Sequence, residues 1–248
     1  MKTVKSLFII CFLPVVAMAK DYNASLFSIY SDGVTNNTGS IQKAIDFISG
    51  NGGGRLVFYV GRYMTGTVQL KSNVTIRLEE GAVLVGAPSI YDYKSNPGSP
   101  KAIVTAYGQS NIGISGKGVM DGNASIINQG MQNLIRNNYI AAATDKPSLV
   151  AFSNCSNIAI DSIHLWQSAN AALVFNQCNK VLVDQVNIDG KNTEAGMGIW
   201  LQNTSGAIVQ NSFIAVTGSP ITQSGTNKDI QIVKTINPQG QAIENVNN

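Results

Sequence analysis

The sequence predicts an all-β solenoid, a parallel β-helix closed at its N-terminal end by one helix. Two observations carry the prediction: short alternating apolar runs recur with a period near 23 residues, and charge is sparse in a chain rich in glycine and small polar residues. Charged residues make up 12% of the 248 and apolar ones 44%, against a charged share of about 25% in an average soluble domain. That apolar share excludes a disordered chain. A β-fold of this length commonly forms one domain.

Five segments align on their second residue: Asn111-Ile112-Gly113-Ile114, Asn157-Ile158-Ala159-Ile160, Lys180-Val181-Leu182-Val183, Gly206-Ala207-Ile208-Val209 and Asp229-Ile230-Gln231-Ile232. The spacings are 46, 23, 26 and 23 residues, so the first holds two periods. A further copy, Asn73-Val74-Thr75-Ile76, lies 38 residues before Ile112 and implies an inserted loop. Each copy leads through a polar turn to a second run, such as Ala172-Leu173-Val174-Phe175 or Gly198-Ile199-Trp200-Leu201. Runs of that length are strands with one buried face, and strand-built repeats of about 20–30 residues stack as a solenoid. A leucine-rich repeat would need its own Leu and Asn pattern, and a sandwich would need hairpin turns every ~8–12 residues. Asn154, Gln177 and Asn203 fall at matching turns and are expected to form an amide ladder.

Residues 40–48 read as an amphipathic helix, with Ile41, Ile45 and Ile48 on one face, a cap at Asn37 or Thr38 and a Gly-rich stop at 50–54. Such a helix can cover the open strand edges of the first coil. Residues 123–147 read as an excursion from the coils, helical in part around 131–140.

Residues 1–19 read as a secretory signal: Lys2 and Lys5, an apolar stretch over 7–18, and Ala17-Met18-Ala19 before the cut. That stretch is too short to cross a membrane, and no later one reaches about 18 apolar residues. Cys11 follows Ile10 rather than a small residue, which argues against a lipoprotein signal. Residues 20–248 are then one exported domain, secreted or periplasmic, without a membrane anchor. Without Lys2 and Lys5 the balance is 15 basic to 14 acidic residues, which leaves no basic stripe for nucleic acid. Cys155 and Cys178 share a position in successive repeats and read as buried free thiols, although export permits a disulfide. His164 is the only histidine, so neither a metal cluster nor a cofactor is expected.

The stretch Tyr30-Ser31-Asp32-Gly33-Val34-Thr35, the helix, and Gly52-Gly53-Gly54-Arg55-Leu56-Val57 together resemble the start of the polygalacturonase family. So do Gly61-Arg62-Tyr63-Met64-Thr65-Gly66, Leu70-Lys71-Ser72-Asn73-Val74-Thr75-Ile76, Leu78-Glu79-Glu80-Gly81-Ala82 and Gly116-Lys117-Gly118-Val119-Met120-Asp121-Gly122. The resemblance covers roughly residues 27–122 and continues more weakly beyond. It implies a right-handed, pectate-lyase-like β-helix and a pectic substrate, galacturonan or rhamnogalacturonan. Family members invert at the sugar: one carboxylic acid protonates the leaving oxygen and a carboxylate ~6.5–9.5 Å away activates water. The family signatures are Asn-Thr-Asp, an Asp-Asp pair one coil on, Gly-His-Gly, and an Arg-x-Lys that grips a substrate carboxylate.

This chain departs from each signature. Asn192-Thr193-Glu194 is similar to the first, with Glu for Asp, if three residues are inserted relative to the coil marker Ala207. Gly218-Ser219 stands at the acid-pair position, Pro238-Gln239-Gly240 near that of Gly-His-Gly, and Asn248 comes before any Arg-x-Lys. Glu194 is therefore the candidate catalytic acid, with a solvated turn carboxylate as the other reading. Trp200 alternates with Ile199 and Leu201 and points out of the coil, where an indole can stack on a sugar or pack beneath a loop. Asn192, Gln202, Gln223, Gln239 and Glu244 are candidates to line the same groove. His164 reads as a surface residue, Asp32 and Asp121 as turn residues, and Tyr91-Asp92-Tyr93 as a packed segment or a loop contact.

The expectation is a secreted β-helix protein that engages pectic polysaccharide without efficient hydrolysis. General acid–base assistance contributes about 10²–10⁴ in rate, and the family residues that supply it are missing. The alternative is an active inverting glycoside hydrolase using Glu194 and an unidentified partner. A lyase would need a calcium–carboxylate cluster, for which acids after residue 122 are too few. With no cap evident before Asn248, self-association through the C-terminal end is expected.

Overall fold

A computed structural model describes residues 20–142, 145–191 and 196–244. The short runs are strands of three parallel sheets, and each coil adds one strand to each. One coil is Ser156–Asp161, His164–Trp166 and Ala171–Asn176; the next is Asn179–Asp184, Asn187–Gly190 and Met197–Gln202. The first sheet runs through eight strands from Asp21–Asn23 to Gln231–Val233. The second has seven, from Asp32–Asn36 to Phe213–Val216, and the third six, from Val68–Gln69 to Ile221–Ser224.

The sequence period is the strand register. Ile112, Ile158, Val181 and Ala207 are successive partners, as are Ile114, Ile160, Val183 and Val209, and all eight are buried. The third sheet sends Val68, Val104, Val150, Leu173, Ile199 and Ile221 inward as one row. Phe152 stacks edge-on against Phe175 at 6.2 Å between ring centres. Each such side chain contributes roughly 1.5–3 kcal/mol by leaving water. A slip of one residue would turn a whole row to solvent, so burial fixes the register.

Single residues in the left-handed region turn the coil from sheet to sheet. Asn154, Gln177 and Asn203 leave the third sheet with φ of 53°, 53° and 48°. Asn111, Asn157 and Lys180 enter the first sheet with φ of 55°, 53° and 54°. After glycine, asparagine tolerates this region best, and that is why amides recur at matching turns. The expected side-chain ladder through Asn154, Gln177 and Asn203 is corrected by the structure. Their backbones align the coils, Asn154 N–H donating to Asn176 O (3.0 Å) and Gln177 N–H to Gln202 O (2.8 Å), while Asn203 Oδ1 accepts from Thr226 N–H (2.9 Å). The amide ladder stands at the next corner, where Asn157 Nδ2 donates to Asn111 Oδ1 (2.6 Å) and Asn111 Nδ2 to Asn73 Oδ1 (2.8 Å).

The N-terminal helix spans Thr38–Gly50 and buries Ile41, Ala44, Ile45 and Ile48. Asn37 occupies the cap position, but its side chain holds Tyr30, accepting from the N–H (2.8 Å) and donating to the carbonyl (2.9 Å). Gln42 does the capping of the sheet. Its Oε1 accepts from Gln69 N–H (2.7 Å) and its Nε2 donates to Gln69 O (3.0 Å), in place of the neighbour that an edge strand lacks. The second helix, Ala124–Arg136, begins directly after left-handed Asn123, earlier than the expected 131–140. It starts there because Ala124, Ile127 and Met131 are the residues it buries.

Cys155 and Cys178 are buried free thiols, as expected. Hydrogen bonding to Cys155 and burial push the Cys178 thiol up, which keeps it protonated and unreactive. At the other end, residues 235–243 fold back on themselves. Asn237 Oδ1 accepts from the N–H groups of Gln239 (3.0 Å) and Gln241 (2.9 Å), and Ile236 bridges to Phe213 of the second sheet. Ile243 packs partly buried on the core.

Replacing Asn111 by Ala removes two ladder bonds and places a Cβ-bearing residue without amide help at φ 55°. The expected cost is about 1–3 kcal/mol, measured by urea unfolding, with Asn111→Gly restoring the backbone part alone. Asp184 gives a pH dependence. Asn211 and Gln210 donate to its carboxylate (2.9 and 3.0 Å) and hold its pKa below the usual range. A lowered folded pKa contributes stability above the unfolded value, lost as pH falls through the folded one. The Tm gap between wild type and Asp184→Ala should be complete at neutral pH and close below about pH 4.

Candidate functional site

A hollow lies over the outer face of the third sheet, and register decides which side chains reach it. Trp200 pairs with Val174 and Thr222, and Gln202 with Asn176 and Ser224, all on the face opposite the buried row. The half-buried indole packs with the cluster of Ala102, Ala151, Ala171 and Val174. Three alanines there leave room for the ring. Its Nε1 donates to Ser224 Oγ at 2.8 Å, which sets the ring plane.

The facing wall is the segment 94–101, which carries the chain to the third-sheet strand Ala102–Tyr107. It is strapped to the sheet: Asn176 Nδ2 donates to Gly98 O (2.7 Å), and the Ser99 and Ser153 hydroxyls are 2.6 Å apart. Gly98 has φ +69°, and a Cβ there would stand 2.7 Å from Asn176 Nδ2, so glycine lets the strap sit this close. Asn176 is 7% exposed and its Oδ1 has no partner; Asn96 Nδ2 is likewise buried and unpaired. The hollow measures about 490 Å³ and is lined by Asn96, Ser99, Asp145, Asn170, Trp200 and Gln202 among others.

The lining combines a flat apolar face, amides that both donate and accept, hydroxyls, and one carboxylate from Asp145. This suits a polyol ring, with an apolar face and equatorial polar groups. Among the described residues no three His, Cys, Asp or Glu side chains group as metal ligands.

Of the residues expected here, Trp200 and Gln202 meet in the hollow. Asn192 and Glu194 lie outside the described residues. Gln223 is corrected by its register, since it partners Leu201 and so belongs to the inward parity. Gln239 and Glu244 are exposed at the terminal fold-back, which bonds to itself and to the second sheet instead of adding a rung to the third. His164 is on the second sheet between Val119 and Asn187, half-exposed and away from the hollow. Asp32 accepts from the N–H groups of Val34 (3.0 Å) and Thr35 (2.8 Å), and Asp121 from Asn123 N–H (2.9 Å), so both are structural. Tyr93 is packed, its hydroxyl donating to Ala87 O (2.6 Å), while Tyr91 is exposed. Gly218 N–H donates to Gly196 O (2.8 Å) and Ser219 Oγ to Ile221 O (3.0 Å), which uses both residues to turn the chain into Ile221–Ser224.

The sequence reading missed Asp145, Asn170 and Asn96. They belong to aperiodic connections, where the Asn-Pro-Gly-Ser-Pro composition of 96–100 marks a loop and says nothing of the face it covers.

The family model for Glycosyl hydrolases family 28 matches residues 58–243, which include the strap and every lining residue of the hollow. The chain belongs to glycosyl hydrolases family 28. A relative in sequence is an exo-poly-alpha-D-galacturonosidase of Dickeya chrysanthemi, 26% identical over 246 residues. The match covers 79% of this chain and 40% of that relative, so the chain spans less than half of its length. Among solved structures, a presumptive glycosyl hydrolase from Parabacteroides merdae is 39% identical with a TM-score of 0.86, covering 91% of this chain and 99% of that one. The family 28 exopolygalacturonase of Yersinia enterocolitica is 21% identical with a TM-score of 0.79, covering 89% and 50%, a likeness of fold. The winding is the right-handed one of these polygalacturonase structures.

Asn176→Ala should free the strap of this family 28 groove. Losing one hydrogen bond of about 1 kcal/mol should raise the rate of limited proteolysis within 94–101 about fivefold, with far-UV circular dichroism unchanged.

Proposed function

We propose that this family 28 protein is exported and holds a pectic polysaccharide in the third-sheet groove without efficient hydrolysis. The lining carries the reading: an indole, amides and hydroxyls, with Asp145 the one acid among the described residues that line the hollow. Inversion needs two carboxyl groups ~6.5–9.5 Å apart across the sugar. Gly218-Ser219 stands where the resemblance would put an acid pair, and Pro238-Gln239-Gly240 near the position of Gly-His-Gly. The pectic ligand is supported by family membership and by the galacturonan-acting relative. Export is supported by the Lys2, Lys5 and Ala17-Met18-Ala19 pattern of residues 1–19.

Asp145 in the groove favours one rival, an inverting hydrolase in which Asp145 and Glu194 share the acid and base roles. Purified residues 20–248, given oligogalacturonides and rhamnogalacturonan oligomers, decide between them. The expected outcome is calorimetric binding that weakens about tenfold in Trp200→Ala, a loss typical of one aromatic contact, and no release of reducing ends. Release that disappears in Asp145→Asn or Glu194→Gln would establish the hydrolase instead.

A further inference from the structure

The strap interrupts a row of polar side chains that the third sheet would otherwise present unbroken. On its outer face Tyr107, Ser153, Asn176, Gln202 and Ser224 are successive register partners. Tyr107 is exposed and Gln202 half-buried, yet Ser153 and Asn176 between them are buried although they point away from the core. The strap lies on both, Ser99 over Ser153 and Gly98 over Asn176.

The ends of the strap are anchored and its middle is held lightly. Lys94 N–H donates to Thr67 Oγ1 (2.7 Å), Ala102 N–H to Lys94 O (3.3 Å) and Ser148 N–H to Lys101 O (2.8 Å). Between these anchors the bonds among described residues are those from Asn176 and Ser153 and a long one from Gln69 Nε2 to Asn96 Oδ1 (3.4 Å). None of residues 94–101 is buried, so apolar burial adds no grip. Pro97 and Pro100 fix two φ angles, which lets the strap swing as a stiff piece. Against those few bonds stand two orphans that closure seals from water, Asn176 Oδ1 and Asn96 Nδ2. An unpaired buried polar group costs at least what one hydrogen bond returns. The closed state is therefore only slightly favoured, and both orphans reach water once the strap lifts.

We propose that the strap is a displaceable cover and that Ser153 and Asn176 beneath it form a binding site for the hydroxyl groups of a sugar chain. With the strap lifted, Asn176 offers a donor and an acceptor and Ser153 a hydroxyl, in line with Gln202. Sugar hydroxyls also donate and accept, so they satisfy the Oδ1 that the closed state leaves orphaned. The ligand is a chain running from Trp200 past Asn176 and Ser153 to Tyr107, three coil steps or ~14 Å at ~4.8 Å per step. A short ligand stays beside Trp200 and leaves the strap closed. A long one needs the open state, so its apparent affinity falls with the fraction of molecules that are closed. The inference rests on the polysaccharide reading and adds to it a covered site that selects by chain length.

The test looks for a gain of binding. Ser99→Ala breaks the hydroxyl pair from the strap side and leaves Ser153 in place. Losing one hydrogen bond shifts the strap toward open about fivefold. A long oligogalacturonate, extending well beyond ~14 Å, should then bind up to about fivefold more tightly by calorimetry, while digalacturonate binds as it does to wild type. Gly98→Ala lifts the strap by another route, since its Cβ would stand 2.7 Å from Asn176 Nδ2 at φ +69°, and should also tighten binding of the long oligomer alone. Misfolding lowers affinity and cannot produce this gain. Long-oligomer binding that is unchanged or weaker in both variants, with digalacturonate still bound, overturns the cover and leaves the polysaccharide reading standing. No binding of either length by wild type or either variant overturns both.

Discussion

Parallel backbone pairing between successive coils is the constraint on which the rest of this structure depends. It places equivalent residues directly above one another at ~4.8 Å, so each position in the coil becomes a row. Rows of Ile and Val fill the interior, Phe152 lies on Phe175, and Asn157, Asn111 and Asn73 hand one amide bond to the next. The same stacking puts Trp200 between Val174 and Thr222 on the outer face of the third sheet. A stack of this kind has edges, and Gln42 satisfies one by presenting an amide to Gln69 as a strand would.

The groove is made by the parts that break the repeat. The segment 94–101 leaves the coil and returns across the sheet, fixed by Asn176 and Ser153, while Asp145 and Asn170 come from the connections on the opposite side. The coils supply a rigid floor and the loops supply chemistry, a division common in binding proteins. The floor alone would suit many ligands, since a fold does not specify a reaction. What narrows the choice is an indole set among amides, hydroxyls and one carboxylate.

Much of this was legible in the residues. Strict alternation around Ile199, Trp200 and Leu201 announced which way the indole faces, and the 23-residue period announced the register that buries Ile158 and Val181. The corner amides were legible in place but not in role. An asparagine recurring at a turn can be there for its tolerance of positive φ or for its side-chain bonds. Asn154 shows the first and Asn111 both. Gln223 looked like its neighbours in composition, and only its pairing with Leu201 turned it to the inward parity. The second helix was displaced toward Ala124 by what it could bury, Ile127 and Met131, rather than by any cap signal in the sequence.

The sequence by itself determined the architecture, because burial and backbone conformation act within a few residues and repeat with the coil. Alternation marks strands, positive-φ residues mark corners, and an amphipathic stretch marks the covering helix. Only the tertiary structure decided the groove. The bond from Asn176 to Gly98 joins residues 78 apart in the chain, and no local pattern carries a contact of that range. Which loop lies on which face depends on how many coils intervene, and that count exists only once the coils have stacked.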